Sequence, residues 1–137
     1  MISADALHLA KRALRESVLR ERDAMLASQR AADSARCAEL LFDLSQVGHA
    51  TRLLSYMGFG TEIDTAPVFR NARAQGKLVA LPRMTRDRAT GSSTLVLHQV
   101  DELSELVAGL WGIREPSADA TIVELGAIDV AVVPGVA

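Results

Sequence analysis

The order of apolar patterns predicts an α/β protein: an open, mostly parallel sheet in a three-layer α/β/α arrangement, with two helices at the amino terminus. Three observations carry this expectation. The stretch before Gly48 repeats its apolar residues at helical spacing. A strand, a helix and a second strand then follow between "RLLSYM" and "KLVALP", the order of a βαβ unit. The sequence closes on another short apolar run, "DVAVVP", which reads as a buried strand.

The elements follow in order. The first helix is expected from Asp5 to Leu26. The second starts after Ser28, whose hydroxyl suits an N-cap. It carries Cys37, Leu40, Leu41, Leu44 and Val47 at helical spacing and stops at Gly48. "RLLSYM" (Arg52 to Met57) is a short apolar run between turn residues, hence a strand, and "GFGTE" is a loop. "DTAPVFRNARAQG" reads as a short helix, capped by Asp64 or Thr65, with Pro67 in its first turn and Gly76 at its end. "KLVALP" (Lys77 to Pro82) is the next strand, parallel to the first through a right-handed crossover. Arg83 to Ser93 reads as a polar, mobile loop and "TLVLHQV" as a third strand. "DELSELVAGLWGIREPSAD" reads as a helical turn to Leu110, then an irregular segment stopped by Pro116. No repeat or linker divides the 137 residues, so one domain is expected.

Composition narrows the partners. A net charge of −2 argues against a nucleic-acid partner held by bulk positive charge. No run approaches the ~18 apolar residues of a membrane span, and the amino terminus lacks a secretory pattern. A cytoplasmic protein without membrane contact is the expectation. Cys37 is the only cysteine, which excludes an intrachain disulfide; it is expected to act as a small buried hydrophobe. There is no metal-ligand spacing and no nucleophile elbow. His98 and Trp111 read as structural, and His8 and His49 as solvated.

Two stretches stand out as candidate sites. On a helical wheel, Lys11, Arg15 and Arg22 fall between two apolar rows of the first helix, one with Leu7, Leu14, Val18 and Met25, the other with Leu19 and Leu26. Long aliphatic stems lying on a core, with charged heads in water, would explain one such cation. Three together repel each other and lose hydration, costs that a bound polyanion would relieve. The wheel leaves both readings open. The second stretch is "YMGFGTEIDT", at the carboxyl end of the first strand, where open α/β sheets bind ligands. Met57 and Phe59 offer apolar surface for a flat ring, and Glu62 could accept from an amino-pyrimidine edge. An acidic residue near a helix start is the plainer reading.

Taken together, "KRALR" with the later Arg22, "SYMGFGTEIDT", "GKLVALPR", "LWGIREP" and "DVAVVPGVA" resemble the 5-formyltetrahydrofolate cyclo-ligase (methenyltetrahydrofolate synthetase) family in order and spacing over nearly the entire chain. The resemblance implies an enzyme that uses ATP and Mg²⁺ to convert 5-formyltetrahydrofolate into 5,10-methenyltetrahydrofolate, releasing ADP and phosphate, through a phosphorylated formyl group. It implies that Lys11 and Arg15 contact ATP phosphates, with Arg83 a further cation near the nucleotide. It implies that Met57, Phe59 and Glu62 line the folate site, with Trp111 on the folate side. Pro82, Gly112, Glu115 and Pro116 would shape the site.

Family members continue past the "VPG" turn into a Phe-Asp pair and a glycine-rich, phosphate-cradling loop. The sequence therefore reads as the amino-terminal part of a cyclo-ligase-like domain, truncated after its last strand. Three accounts compete: a fragment or truncated product of a true cyclo-ligase, an inactive folate- or nucleotide-binding protein, or a chain completed by a second polypeptide. An uncovered sheet edge invites pairing, so self-association is expected; a clean monomer on size exclusion would count against it.

Overall fold

A computed structural model describes residues 3–136 of the chain. Two long helices lead, α1 (Ala4–Ala24) and α2 (Ala27–Phe42), followed by a short α3 (Ser45–His49). Strand β1 (Arg52–Leu54), helix α4 (Ala66–Ala74) and strand β2 (Leu78–Arg86) form the expected βαβ unit. After β3 (Ser93–Val100) come a two-stranded ribbon of β4 (Val107–Ala108) and β5 (Arg114–Glu115), and last β6 (Val130–Ala131). The main sheet runs β3-β2-β1-β6, with β1 parallel to both β2 and β6 and β3 antiparallel to β2. This is the open, mostly parallel α/β sheet with leading helices that the sequence pattern implies.

The core sits on one face of that sheet. Residues paired across a ladder share a face. Leu53 pairs with Val79 and with Val130, and Val79 pairs with Val100. Leu81, two residues along β2, joins them. These side chains meet Ala38 of α2 and Val68, Phe69 and Ala72 of α4. Each large aliphatic buried there contributes about 1.5–3 kcal/mol.

The residues that helix α2 buries fully are small, with Leu41 and Phe42 half-buried against the core. Its buried positions are Ser34 and Ala38. Cys37, expected inside, is exposed, as are Leu40 and Leu44 at 49% and 52%. Helical spacing alone could not separate this serine–alanine face from the leucines beside it. The helix starts one residue before the proposed Ser28 cap, with Leu26 at the N-cap, and ends at Phe42 rather than Gly48.

Two further expectations shift. The polar stretch after Pro82 is not a loop up to Ser93. Strand β2 continues through Arg86, and β3 pairs with it from Ser93 onward, leaving a turn at 87–92. Asp87 organises that turn by accepting from Ala89 N–H at 2.7 Å, and its carboxyl is held below the usual range chiefly by the Ala89 and Thr90 backbone donors. Trp111, read as packing, is 72% exposed and has a left-handed backbone (φ 59°), rare for a bulky residue.

Side chains fix the strand entries. Lys77 is 5% exposed, and its Nζ donates to the carbonyls of Gly48 (2.8 Å) and Ala50 (2.6 Å). Those carbonyls lie at the end of α3, where helical partners run out. His98, structural as expected, is 3% exposed with Nδ1 2.7 Å from the Ala120 carbonyl. Segment 121–123 covers the outer side of β3 through Gln99 N–H to Thr121 O and Val123 N–H to Leu97 O. No helix among the described residues is long and apolar enough to cross a membrane.

Candidate functional site

The loop after β1 is built to hold a tight shape. A Cβ on Gly58 would lie 2.3 Å from the Ile63 carbonyl oxygen, so only glycine fits, and Gly60 takes φ +61°. Thr65, 2% exposed, donates its hydroxyl to the Tyr56 carbonyl and accepts from Gly58 N–H at 3.3 Å. Asp64 N–H donates to Ser34 Oγ at 2.9 Å, anchoring the loop on α2, and Asp64 Oδ1 accepts from Ala66 N–H at the start of α4. Phe59 N–H donates to Glu62 Oε2 at 2.9 Å, which fixes that carboxylate over the loop.

Beside this loop lies a cleft of about 390 Å³. Tyr56, Met57, Phe59 and Glu62 form one wall; Pro82, Met84 and Leu95 from the β2–β3 ribbon form another. Ile113, Arg114 and Glu115 of the β5 segment, together with Pro134, complete the lining. Met84 pairs with Leu95, so both point to one face of the ribbon. The cleft is thus mostly apolar with a few placed polar groups, the usual character of a small-molecule site. Burial raises the Tyr56 phenol above its ordinary range, with a smaller push from Glu62, and Arg22 opposes both.

The cationic helix is arranged differently from the wheel's expectation. Helix α1 has no buried residue, and Leu7 and Leu14 are 48% and 57% exposed. Lys11 and Arg15 are exposed as well, so they do not lie sandwiched against the sheet. Amphipathicity reports what a helix can bury, and no element of the described chain covers this face. The helix is tied at its carboxyl end: Arg22 Nε donates to Thr61 Oγ1 at 3.2 Å, and Thr61 donates to Asp23. Lys11 and Arg15 border an open hollow of about 620 Å³ together with His8, Arg12 and Leu14. Arg15 also lines a second hollow of about 230 Å³ with Glu62, Pro134, Gly135 and Val136. Glu62 therefore lines both the cleft and the hollow that holds Arg15.

Other expected site residues separate. Arg83 Nη1 donates to the Pro116 carbonyl at 2.8 Å and lies 3.7 Å from Glu115 Oε2, turned toward β5 rather than toward α1. Trp111 lies outside the cleft lining, immediately before the Ile113–Glu115 segment that forms it. Met84 escaped the sequence reading because arginines and Pro82 hide its strand, and Leu95, on the expected third strand, because its partner across the ribbon was hidden. The alternation of Pro82, Met84 and Arg86 with Arg83 and Thr85, closed by Gly91, is the signal that was available.

No curated protein matches the chain. Among solved structures, the NMR structure of Aquifex aeolicus 5,10-methenyltetrahydrofolate synthetase is similar, with a TM-score of 0.75 at 26% identity. The match covers 93% of this chain and 61% of that one, so the chain spans under two thirds of that relative's length. The family model described as 5-formyltetrahydrofolate cyclo-ligase matches residues 8–137, and on that match, with the shared fold, the chain belongs to this family.

Proposed function

We propose that this chain carries the folate cleft and part of the nucleotide surface of an ATP-dependent 5-formyltetrahydrofolate cyclo-ligase. The reaction yields 5,10-methenyltetrahydrofolate, ADP and phosphate. The observation that carries this reading is the position of Glu62, which lines both the apolar cleft and the hollow holding Arg15. The shared wall puts a ring-sized ligand in the cleft within reach of an anion held at Arg15, as transfer of a phosphoryl group to the formyl oxygen requires.

The chemistry follows from leaving-group ability. An amide oxygen leaves poorly until it is phosphorylated. Transfer of the γ-phosphoryl group from ATP to the formyl oxygen releases ADP and lets N10 attack the formyl carbon; N10 gives up its proton to solvent, and phosphate departs with the formyl oxygen as the new ring closes. Such transfer needs positioning and charge stabilisation more than covalent help. In this reading Met57 and Phe59 give the pterin its apolar wall and Glu62 accepts from the amino-pyrimidine donors. Lys11 and Arg15 meet phosphate oxygens, the guanidinium in bidentate fashion. Arg83 and Trp111 flank the β5 side of the cleft. Among the described residues no three His, Cys, Asp or Glu side chains gather to hold a metal. The described residues therefore offer Mg²⁺ no cage of their own.

The test is the absorbance of methenyltetrahydrofolate in the presence of chain, 5-formyltetrahydrofolate and ATP, with ATP omitted as control. Signal that requires ATP supports the enzyme reading. Calorimetric binding of the folate or of ATP without turnover would make the chain a folate- or nucleotide-binding protein instead. Binding of neither ligand defeats the proposal.

A further inference from the structure

Glu115 is a buried carboxylate that its protein partners leave short of donors. The residue is 7% exposed and lines the cleft. An ionised carboxylate offers about four acceptor positions. Here Oε1 accepts from Met84 N–H at 3.4 Å, and Oε2 lies 3.7 Å from Arg83 Nη1, both long contacts. The short bond of that guanidinium nitrogen goes to the Pro116 carbonyl at 2.8 Å instead, so Arg83 is a weak clamp on Glu115. The carboxylate is nonetheless held in one place. A Cβ on Gly109 would fall 2.3 Å from Glu115 Cδ and 2.5 Å from Oε2, so the glycine is the cradle in which the acid lies. Burying a charge without its full set of hydrogen bonds is costly, and Glu115 is among the residues that line the cleft.

We infer that Glu115 is a specificity-determining residue that accepts the N8–H of a tetrahydropterin and thereby selects reduced over fully oxidised folates. The inference rests on the folate reading of the cleft, in which Glu62 takes the amino-pyrimidine donors. With those used and N5 carrying the formyl group, N8–H is the one ring donor left in 5-formyltetrahydrofolate. In folic acid the ring is aromatic and N8 is a bare acceptor. Its lone pair would face a carboxylate lone pair, and the buried acid would stay unsatisfied. Sites built to hydrogen-bond a donor reject the analogue lacking it strongly for this reason.

The experiment is calorimetric titration of the chain with 5-formyltetrahydrofolate and with folic acid. Wild type should favour the reduced ligand by roughly tenfold or more. In Glu115→Gln the amide can accept from N8–H or donate to a bare N8, so the ratio should collapse toward one. Gly109→Ala keeps the acid but pushes it aside, and should narrow the ratio too. A folded Glu115→Gln or Gly109→Ala chain that keeps the wild-type ratio overturns the inference and leaves the folate reading standing. So does wild type that binds both ligands equally. Wild type that binds neither defeats the folate reading and this inference with it.

Discussion

The backbone N–H of Phe59 donates to Glu62 Oε2 at 2.9 Å, so the loop itself orients the carboxylate at the mouth of the cleft. One bond leaves the other oxygen for a ligand. Glu62→Ala should therefore weaken 5-formyltetrahydrofolate binding by about ten- to a hundredfold, the worth of a charge-assisted hydrogen bond, with ATP affinity little changed. Tyr56 supplies an internal control. It is the only tyrosine, and after burial Glu62 is the next cause of its raised pKa. Alkaline absorbance titration of the unliganded variant should show the phenol titrating lower than in wild type; an unmoved midpoint means that Glu62 does not face Tyr56.

Lys11 and Arg15 present the opposite selectivity. Both are exposed on α1, and Arg15 reaches the hollow closed by Glu62 and the 134–136 turn. Lys11→Ala and Arg15→Ala should each raise the dissociation constant for ATP severalfold, and leave that for 5-formyltetrahydrofolate nearly unchanged. Because both sites are solvated, the effect should shrink at high ionic strength. Equal loss for both ligands, or none for ATP, removes the stripe from the nucleotide site.

Much of the fold was legible because its signals are local. The βαβ unit announces itself through apolar runs, Pro67 in the first turn of α4 and Gly76 after it. The glycine loop with Met57, Phe59 and Glu62 was legible for the same reason, as its shape is set within ten residues of chain. What escaped depends on distant partners. Cys37 is exposed because α2 turns Ala38 to the core and Ser34 to the loop after β1, and a wheel cannot say which neighbour arrives. Strand β2 was cut short because Arg83 and Arg86 look solvated, although Arg83 folds onto the Pro116 carbonyl 33 residues away. Burial of Glu115 by Gly109 likewise needs the β4–β5 ribbon, which brings the two together across a turn that no periodicity marks.

The last strand is pinned by one acid, and pH should reveal it. Asp129 Oδ2 accepts from Thr51 N–H at 2.8 Å, Arg52 N–H at 2.9 Å and the Thr51 hydroxyl at 2.9 Å, where β1 and β6 begin side by side. These donors, Thr51 N–H foremost, hold its carboxyl below the usual range, while partial desolvation opposes them. A carboxyl depressed in the folded state stabilises it above the unfolded value of about 3.9, and that contribution is lost as pH falls through the folded value. Asp129→Asn should therefore melt at a lower temperature than wild type at neutral pH. Below about pH 4 the wild-type advantage should fade and the two melting curves should approach each other. Because β6 leads into the Pro134–Val136 turn beside Arg15, the same variant should also weaken ATP binding at neutral pH. Thermal midpoints measured from neutral to strongly acid pH decide the matter: an offset constant across that range would show that the Asp129 charge does not hold β6 to β1.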